Sequence, residues 1–298
     1  MPPEVRRGFT PGGRAIIAAI RAISRDAPKL TVPPSAAEYL EFALATAQAA
    51  GEAILPHFRV VLDVDDKSGG RNYDPVTIAD RAAETVISAA IAKHYPDHGI
   101  RGEEHGRRTG PSRFTWVIDP IDGTRSFILG QMHWATLIAL HDGERIVVGV
   151  AHQPYVGESF CATNGVAEWR RGSDRRRLAT RRCASVADAV VACTDPKMFE
   201  TAAERSAFDR VASRARLTRW GGDCYAYCLL AMGLIDVVIE ASLEAYDVQA
   251  LIPIVEAAGG VMTAWTGAPC DEGGTVAACG DRALHPKILA LLSGASGG

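Results

Sequence analysis

Trp116-Val-Ile-Asp119-Pro-Ile-Asp122-Gly-Thr124 is the stretch on which the fold turns. Its apolar start reads as a buried strand, Asp119 as the strand's end, Pro120 as a turn, and Asp122 as a second acid placed just before Gly123-Thr124. Carboxylates three apart at a strand-to-helix turn can converge on a hard cation, because Asp is short enough to hold one rigidly. Gly123 and Thr124 then fall near a helix N-terminus, where backbone N–H groups and the dipole favour a phosphate. Taken alone, Asp-Pro-Ile-Asp-Gly-Thr reads equally as a Pro-containing turn that needs no metal, since Asp and Gly are turn formers.

Downstream, Ala135–Leu140 and Arg145–His152 read as further strands of the same sheet, joined by His141-Asp-Gly-Glu144. Val166–Cys183 contains seven Arg. It reads as a polar hairpin around Asn164-Gly165, with a basic patch for an anionic partner as the alternative. Upstream, Ala36–Leu55 and Ile78–His94 carry apolar residues at helical spacing, Ser35 stands near the first N-cap, and Pro56 is a stop. Asp80 lies in the first turn of the second helix and shares a face with Glu84 at i, i+4. Beyond residue 185, strands at 189–193, 234–240 and 261–265 alternate with helices at 203–215, 225–232 and 248–258, a second α/β layer.

Acids recur at the junctions of these elements. Gly102-Glu103-Glu104 precedes the opening stretch, Asp74-Pro-Val-Thr77-Ile-Ala-Asp80 precedes that, and Tyr246-Asp247 opens a late apolar helix. Singly, each has a plain reading: solvated loop charge for Glu103-Glu104, an exposed first-turn acid for Asp80, an N-cap for Asp247. None of these explains the shared pattern.

Composition narrows the classes. The 298 residues carry a formal charge of -3 and 47% hydrophobic side chains, which fits an ordinary globular chain and provides no global field for a polyanion. Nucleic acid and membrane are therefore not expected partners, and no run approaches the ~20 apolar residues of a membrane span. Seven Cys without a C-x-x-C indicate neither a disulfide framework nor a zinc ribbon, and a cytoplasmic location is expected. Arg6-Arg7 and the apolar Ala15–Ile20 faintly resemble an export signal, which Arg21 and Arg25 interrupt.

With Gly-Glu-Glu, Trp-x-x-Asp-Pro-x-Asp-Gly-Thr and a late aromatic-Asp in order, the sequence resembles the inositol monophosphatase family of Mg²⁺-dependent phosphomonoesterases, over Ser35 to Leu292. The resemblance implies an α/β (α+β) sugar-phosphatase-type fold of alternating helix and sheet layers in two packed halves, 35–184 and 185–298, after an extension at 1–34. It also implies a homodimer. Glu103, Asp119 and the Ile121 carbonyl would hold one Mg²⁺, and Asp119, Asp122 and Asp247 a second. Asp80 and Thr124 would position or deprotonate the attacking water, with Glu103 near it and sharing a weaker third ion, and the amides of Gly123 and Thr124 would grip the phosphate. The chemistry is sound on its own terms, because a phosphomonoester dianion repels hydroxide until cations neutralise its oxygens. Oxygen donors without a thiolate suit Mg²⁺ or Mn²⁺ and not zinc.

Within the family the texture is similar to the histidinol-phosphate phosphatase branch, a step of histidine biosynthesis. Asp122-Gly-Thr-Arg125-Ser126-Phe127-Ile128, Thr136–Leu140 and Arg219-Trp220-Gly-Gly222-Asp223-Cys-Tyr225-Ala-Tyr227 carry that likeness. By alignment with the family pocket, Asp223 and Glu240 face the leaving alcohol, and two carboxylates there suit an ammonium or imidazolium. The plainer readings are a helix cap for Asp223 and a strand-end acid for Glu240. Arg125 either reaches the phosphate or decorates the loop. The chain departs from the branch at Gln131-Met132-His133-Trp134-Ala135, where a Pro and an aromatic-Gly pair are expected. Histidinol phosphate is thus the first expected substrate and an inositol or related polyol phosphate the second. A metal-binding regulatory protein on the same scaffold is the reading from another class.

Overall fold

The computed structural model describes residues 35–61, 63–67 and 75–294; the extension expected at 1–34 and Asp74 lie outside these. Helix α1, Ala36–Ile54, begins where Ser35 and Glu38 form a reciprocal capping box. The strand pair β1 (Val64–Asp66) and β2 (Pro75–Thr77) leads into α2, Ile78–His94, whose own capping box is Thr77 with Asp80. The chain then builds β3 (Gly99–Gly102), β4 (Arg107–Arg108), β5 (Thr115–Asp122), the short α3 (Thr124–Ile128), β6 (Ala135–His141), β7 (Ile146–Gln153), β8 (Glu158–Thr163), β9 (Val166–Arg171) and β10 (Asp174–Arg177). These strands form one sheet in the order β10-β9-β8-β7-β6-β5-β3-β4. The turn at Asn164-Gly165 has positive φ at both residues, the conformation a two-residue hairpin favours, so the polar-hairpin reading holds there.

A second sheet follows: β11 (Val190–Cys193), α4 (Ala202–Ala212), β12 (Leu217–Trp220), α5 (Asp223–Ala231), β13 (Val237–Leu243), α6 (Ala245–Val248), α7 (Leu251–Ala257), β14 (Val261–Ala264), β15 (Gly274–Cys279) and α8 (His285–Ser293). Its order is β12-β11-β13-β15-β14. The single late helix expected at 248–258 is two short ones, and β3, β12 and β15 carry too little apolar periodicity to stand out in the sequence.

Side-chain alternation along the strands sorts the cores. Trp116 and Ile118 pack with Ile87, Ile91 and Ala47 of α2 and α1, whereas Val117 packs on the other face with Tyr227 of α5 and Ile254 of α7. The far face of the smaller sheet, Val191, Val237 and Ile239, buries Phe208 of α4 and Ile288 of α8. The result is five layers, helices alternating with sheets, as a two-sided sheet requires when each apolar face must be covered.

The opening stretch is corrected in one respect. β5 does not end at Asp119 but continues through Pro120 to Asp122. Its pairing with β6 slips on the way, with Asp119 opposite Leu137 and Asp122 opposite Ala135. Three steps on β5 against two on β6 define a bulge. In a regular strand, residues three apart point to opposite faces. The bulge returns Ile121 to the Trp116/Ile118 core and turns Asp122 to the same side as Asp119, toward the layer that holds α5 and α6. Pro120 is accommodated because it needs no ladder donor, while its carbonyl accepts the Thr136 hydroxyl at 2.8 Å.

Candidate active site

Carboxylate oxygens of Asp119, Asp122 and Asp247 lie within 4.8 Å of one another. Asp119 and Asp122 arrive from the β5 bulge. Asp247 arrives from α6 as the third residue of a short helix, where its Oδ2 accepts the Glu244 amide at 2.7 Å; it is not the N-cap of a longer helix. Burial and the charges of the neighbouring acids push Asp119 and Asp247 well above the ordinary carboxylate range, and push Asp122 up to about 7. Asp119 is 2% exposed, and among the described residues its Oδ1 has no hydrogen-bond partner.

Glu103 joins this cluster from the loop after β3. Burial raises its carboxyl to about 6, against the opposing pull of Lys67, whose Nζ lies 2.8 Å from Glu103 Oε1 and 2.7 Å from Glu104 Oε1. The Glu103-Glu104 pair is therefore not solvated loop charge. No signal in the sequence marks Lys67, because nothing local predicts which hairpin folds back on this loop.

Asp80 is 1% exposed, not the surface acid of the plain reading. Its Oδ2 accepts the Thr77 amide at 2.8 Å and the Thr77 hydroxyl at 2.6 Å, while Oδ1 faces the Thr124 hydroxyl at 3.4 Å. Thr124 Oγ1 also lies 3.0 Å from the Ile121 carbonyl. Burial raises Asp80 to about 6 in spite of the Thr77 donors. The capping box thus serves a second purpose, holding a carboxylate at the edge of the acidic cluster with one oxygen directed toward Thr124.

Gly123 occupies the position before α3 with φ +85°; a Cβ there would lie 2.5 Å from the His133 carbonyl and 3.1 Å from Asp223 Cβ. Glycine is required on both counts. This contact joins the turn to Asp223, the first residue of α5, which holds φ +43°, an unfavourable conformation for a residue with a Cβ. Its amide donates to Thr194 Oγ1 at 2.9 Å, and its Oδ2 accepts the Ser126 hydroxyl at 2.7 Å. The carboxylate does not cap α5. Cys224, next in line, donates its amide to Asp122 Oδ2 at 2.7 Å, so the start of α5 links both groups of acids.

Glu240 lies behind Asp223. It is 2% exposed, and Oε1 accepts the Thr194 amide at 3.0 Å and the Thr194 hydroxyl at 2.5 Å, while Oε2 accepts the Tyr227 hydroxyl at 2.9 Å. It is no surface acid, and its contacts run to protein donors. Tyr227 is core, and Trp220, 45% exposed, lines a cavity of about 730 Å³ together with His133, Thr194, Asp195 and Arg59. Arg125 is exposed on α3, and its charge draws the Asp223 carboxyl down against the larger upward effect of burial. A larger cavity, about 1220 Å³ between the His141–Arg145 turn and α7, holds none of the clustered acids.

Hard oxygen donors fit a divalent cation such as Mg²⁺. The unpartnered Asp119 Oδ1 is the specific sign, since a buried acceptor normally finds a donor. The nearby thiol of Cys224 is held protonated by burial and the Asp122 charge and offers no thiolate ligand.

A layered α/β scaffold that crowds acids beside a glycine turn at the start of a helix suits metal-dependent hydrolysis of a phosphoric monoester. The model of the inositol monophosphatase family matches residues 35–296, and the chain belongs to that family. It is 39% identical over 259 residues to the chloroplastic bifunctional phosphatase IMPL2 of Arabidopsis thaliana, covering 83% of this chain and 73% of that one. It is 36% identical over 222 residues to a histidinol-phosphatase of Chlorobaculum parvum, covering 74% and 83%. Among solved structures, an inositol monophosphatase from Zymomonas mobilis is 36% identical and superposes with a TM-score of 0.77 over 87% of this chain and 99% of that one.

Proposed function

We propose that the protein hydrolyses histidinol phosphate with Mg²⁺, through Glu103, Asp119, the Ile121 carbonyl, Asp122 and Asp247 as ligands and Asp80 with Thr124 as the pair that orients the attacking water. Mg²⁺ ions, when bound, neutralise the phosphate oxygens, make water a competent nucleophile near neutral pH and stabilise the leaving alkoxide. The rest falls to side chains. Thr124 Oγ1 lies between the Ile121 carbonyl and Asp80 Oδ1, so the hydroxyl can accept from water while passing its own hydrogen to Asp80. The raised pKa of Asp80 suits a group that takes up a proton near neutrality. The Gly123 turn opens α3 next to the cluster and presents amides suited to phosphate oxygens.

The observation that carries the substrate choice is Asp223. It is a carboxylate beside the cavity, held by Ser126 and by the Thr194–Glu240–Tyr227 chain in a conformation that costs backbone strain. Strain retained next to Thr194 and Gly221, which line the cavity, indicates that orientation matters there, and an oriented carboxylate favours an ammonium over a neutral hydroxyl. Glu240 supports this reading through Thr194 and not by touching the alcohol. Similarity to histidinol-phosphatases adds weight, and the resemblance also supports a homodimer, whose assembly light scattering would test. The deciding experiment compares kcat/KM for histidinol phosphate, inositol-1-phosphate and an aryl phosphate, with Mg²⁺ and after chelation. Preference for inositol-1-phosphate would sink the substrate assignment, and silence toward all three would favour a regulatory role.

A further inference from the structure

Glu84 stands one helical turn beyond Asp80 on α2 and is fully buried, yet it belongs neither to the acidic cluster nor to the phosphate turn. Its carboxylate accepts two successive backbone amides from the loop after β3, Glu104 at 2.7 Å on Oε2 and His105 at 3.0 Å on Oε1. The His105 ring nitrogen Nδ1 lies 3.4 Å from the same Oε1. The first two amides of the loop go elsewhere, Gly102 to the Gly106 carbonyl at 2.8 Å and Glu103 to the Ile118 carbonyl at 3.2 Å.

Gly102 completes the arrangement. A Cβ on it would lie 1.9 Å from Glu84 Oε1, so the carboxylate fills the space that any other residue would need. The Gly-Glu-Glu stretch therefore begins with glycine because an acid from another element lies against it. Burying a carboxylate is costly unless it is paired, and here its partners are the loop's own amides. Lys67 reaches Glu103 and Glu104 at their side-chain ends, whereas Glu84 holds the backbone from which the Glu103 carboxylate reaches toward the cluster.

We propose that Glu84 is a positioning residue for Glu103, fixing the loop so that this carboxylate presents its oxygens to a divalent cation; the proposal rests on the reading of Glu103 as a metal ligand. Groups that orient ligands in this way typically govern metal affinity by ~10–100-fold.

The test is calorimetric titration of Mn²⁺ into the metal-free full-length protein, for the wild type, Glu84→Gln, Glu84→Ala, Gly102→Ala and the Glu84→Ala/Gly102→Ala double variant, each checked for cooperative unfolding. Glu84→Ala should weaken binding ~10–100-fold, with kcat largely recovered at saturating metal. Glu84→Gln, which keeps the shape and one acceptor oxygen, should lose less and decides the matter if the alanine variant fails to fold. Gly102→Ala should resemble Glu84→Ala, and the double variant should be no worse than Glu84→Ala, because truncation removes the clash. Wild-type affinity in the folded Glu84 variants would overturn this proposal alone. Failure of the wild type to bind Mn²⁺ would remove the metal reading and this proposal with it.

Discussion

The acids around the β5 bulge and those at the start of α5 are both buried, but their surroundings differ. Glu240 has donors on both oxygens, from Thr194 and Tyr227, and Asp223 has Ser126. Asp119 keeps an oxygen that finds no donor among the described residues and faces Glu103, Asp122 and Asp247. A buried acid supplied with donors is a finished piece of protein, whose task is to hold a direction. One surrounded by like charge is unfinished, and the completing charge must come from outside the chain. On the proposed reading, one half of the site takes up cations and the other orients a carboxylate toward the leaving alcohol.

The sharpest way to break this contrast is Asp119→Asn. Turnover should fall by about a hundred- to a thousandfold, the scale seen when one preorganised group that stabilises transition-state charge is removed, while the metal-free fold melts no lower than wild type because Asn removes a buried acid crowded by like charge. Near-normal turnover, measured as phosphate release, would end the distinction.

Next in size is the effect of Asp223→Ala on selectivity. A charge-assisted hydrogen bond contributes about 1.5–3 kcal/mol, so kcat/KM for histidinol phosphate should drop ~10–100-fold, with a change of at most ~3-fold for an aryl phosphate. Equal losses on the two substrates would mean that Asp223 serves only the architecture of α5. Tyr227→Phe, which removes one donor from Glu240, should act in the same direction but weakly. About 1 kcal/mol for one neutral hydrogen bond corresponds to ~5-fold in kcat/KM for histidinol phosphate.

A pH signature is shared by both halves, since burial pushes Glu240 up to about 7 as well. Asp80, Glu103 and Asp122 have folded-state pKa values raised to about 6, 6 and 7, chiefly by burial, above the ordinary carboxylate range. A raised acid binds more protons folded than unfolded, so its contribution to stability is full below the unfolded pKa and is lost as pH rises through the folded one. Chelated protein should therefore melt progressively lower between about pH 4 and pH 7, and Mg²⁺ should restore stability most at the upper end. A melting temperature in chelator that rises across that interval would show that the cluster is already balanced by the protein itself.

Much of this was legible in the residues. The helices at 36–54 and 78–94 follow from apolar spacing and their capping boxes, and the acids of the cluster could be named because short motifs carry them. Less legible were the places where a residue's role depends on a distant partner. Pro120 reads as a turn, and only pairing with β6 makes it part of a bulge. Asp223 reads as a cap, and only the arrival of Ser126 and Thr194 gives its carboxylate another task. Lys67 and Thr194 carry no local signal at all, and Glu84 none beyond sharing a helix face with Asp80, since each acts on a loop or helix far away in the chain.

By itself, the order of amino acids pointed to alternating helices and strands and set hard-oxygen acids at their junctions, because periodicity, capping and ligand type are properties of neighbouring residues; the family resemblance of short motifs then singled out which acids to expect at the site. Tertiary structure alone decided that Asp119 and Asp122 face the same way, that Asp247 meets them, and that Glu240 turns to Thr194 and Tyr227. Direction and proximity are set when sheets and helices close on one another, and no residue can specify from its own position which element will be packed against it.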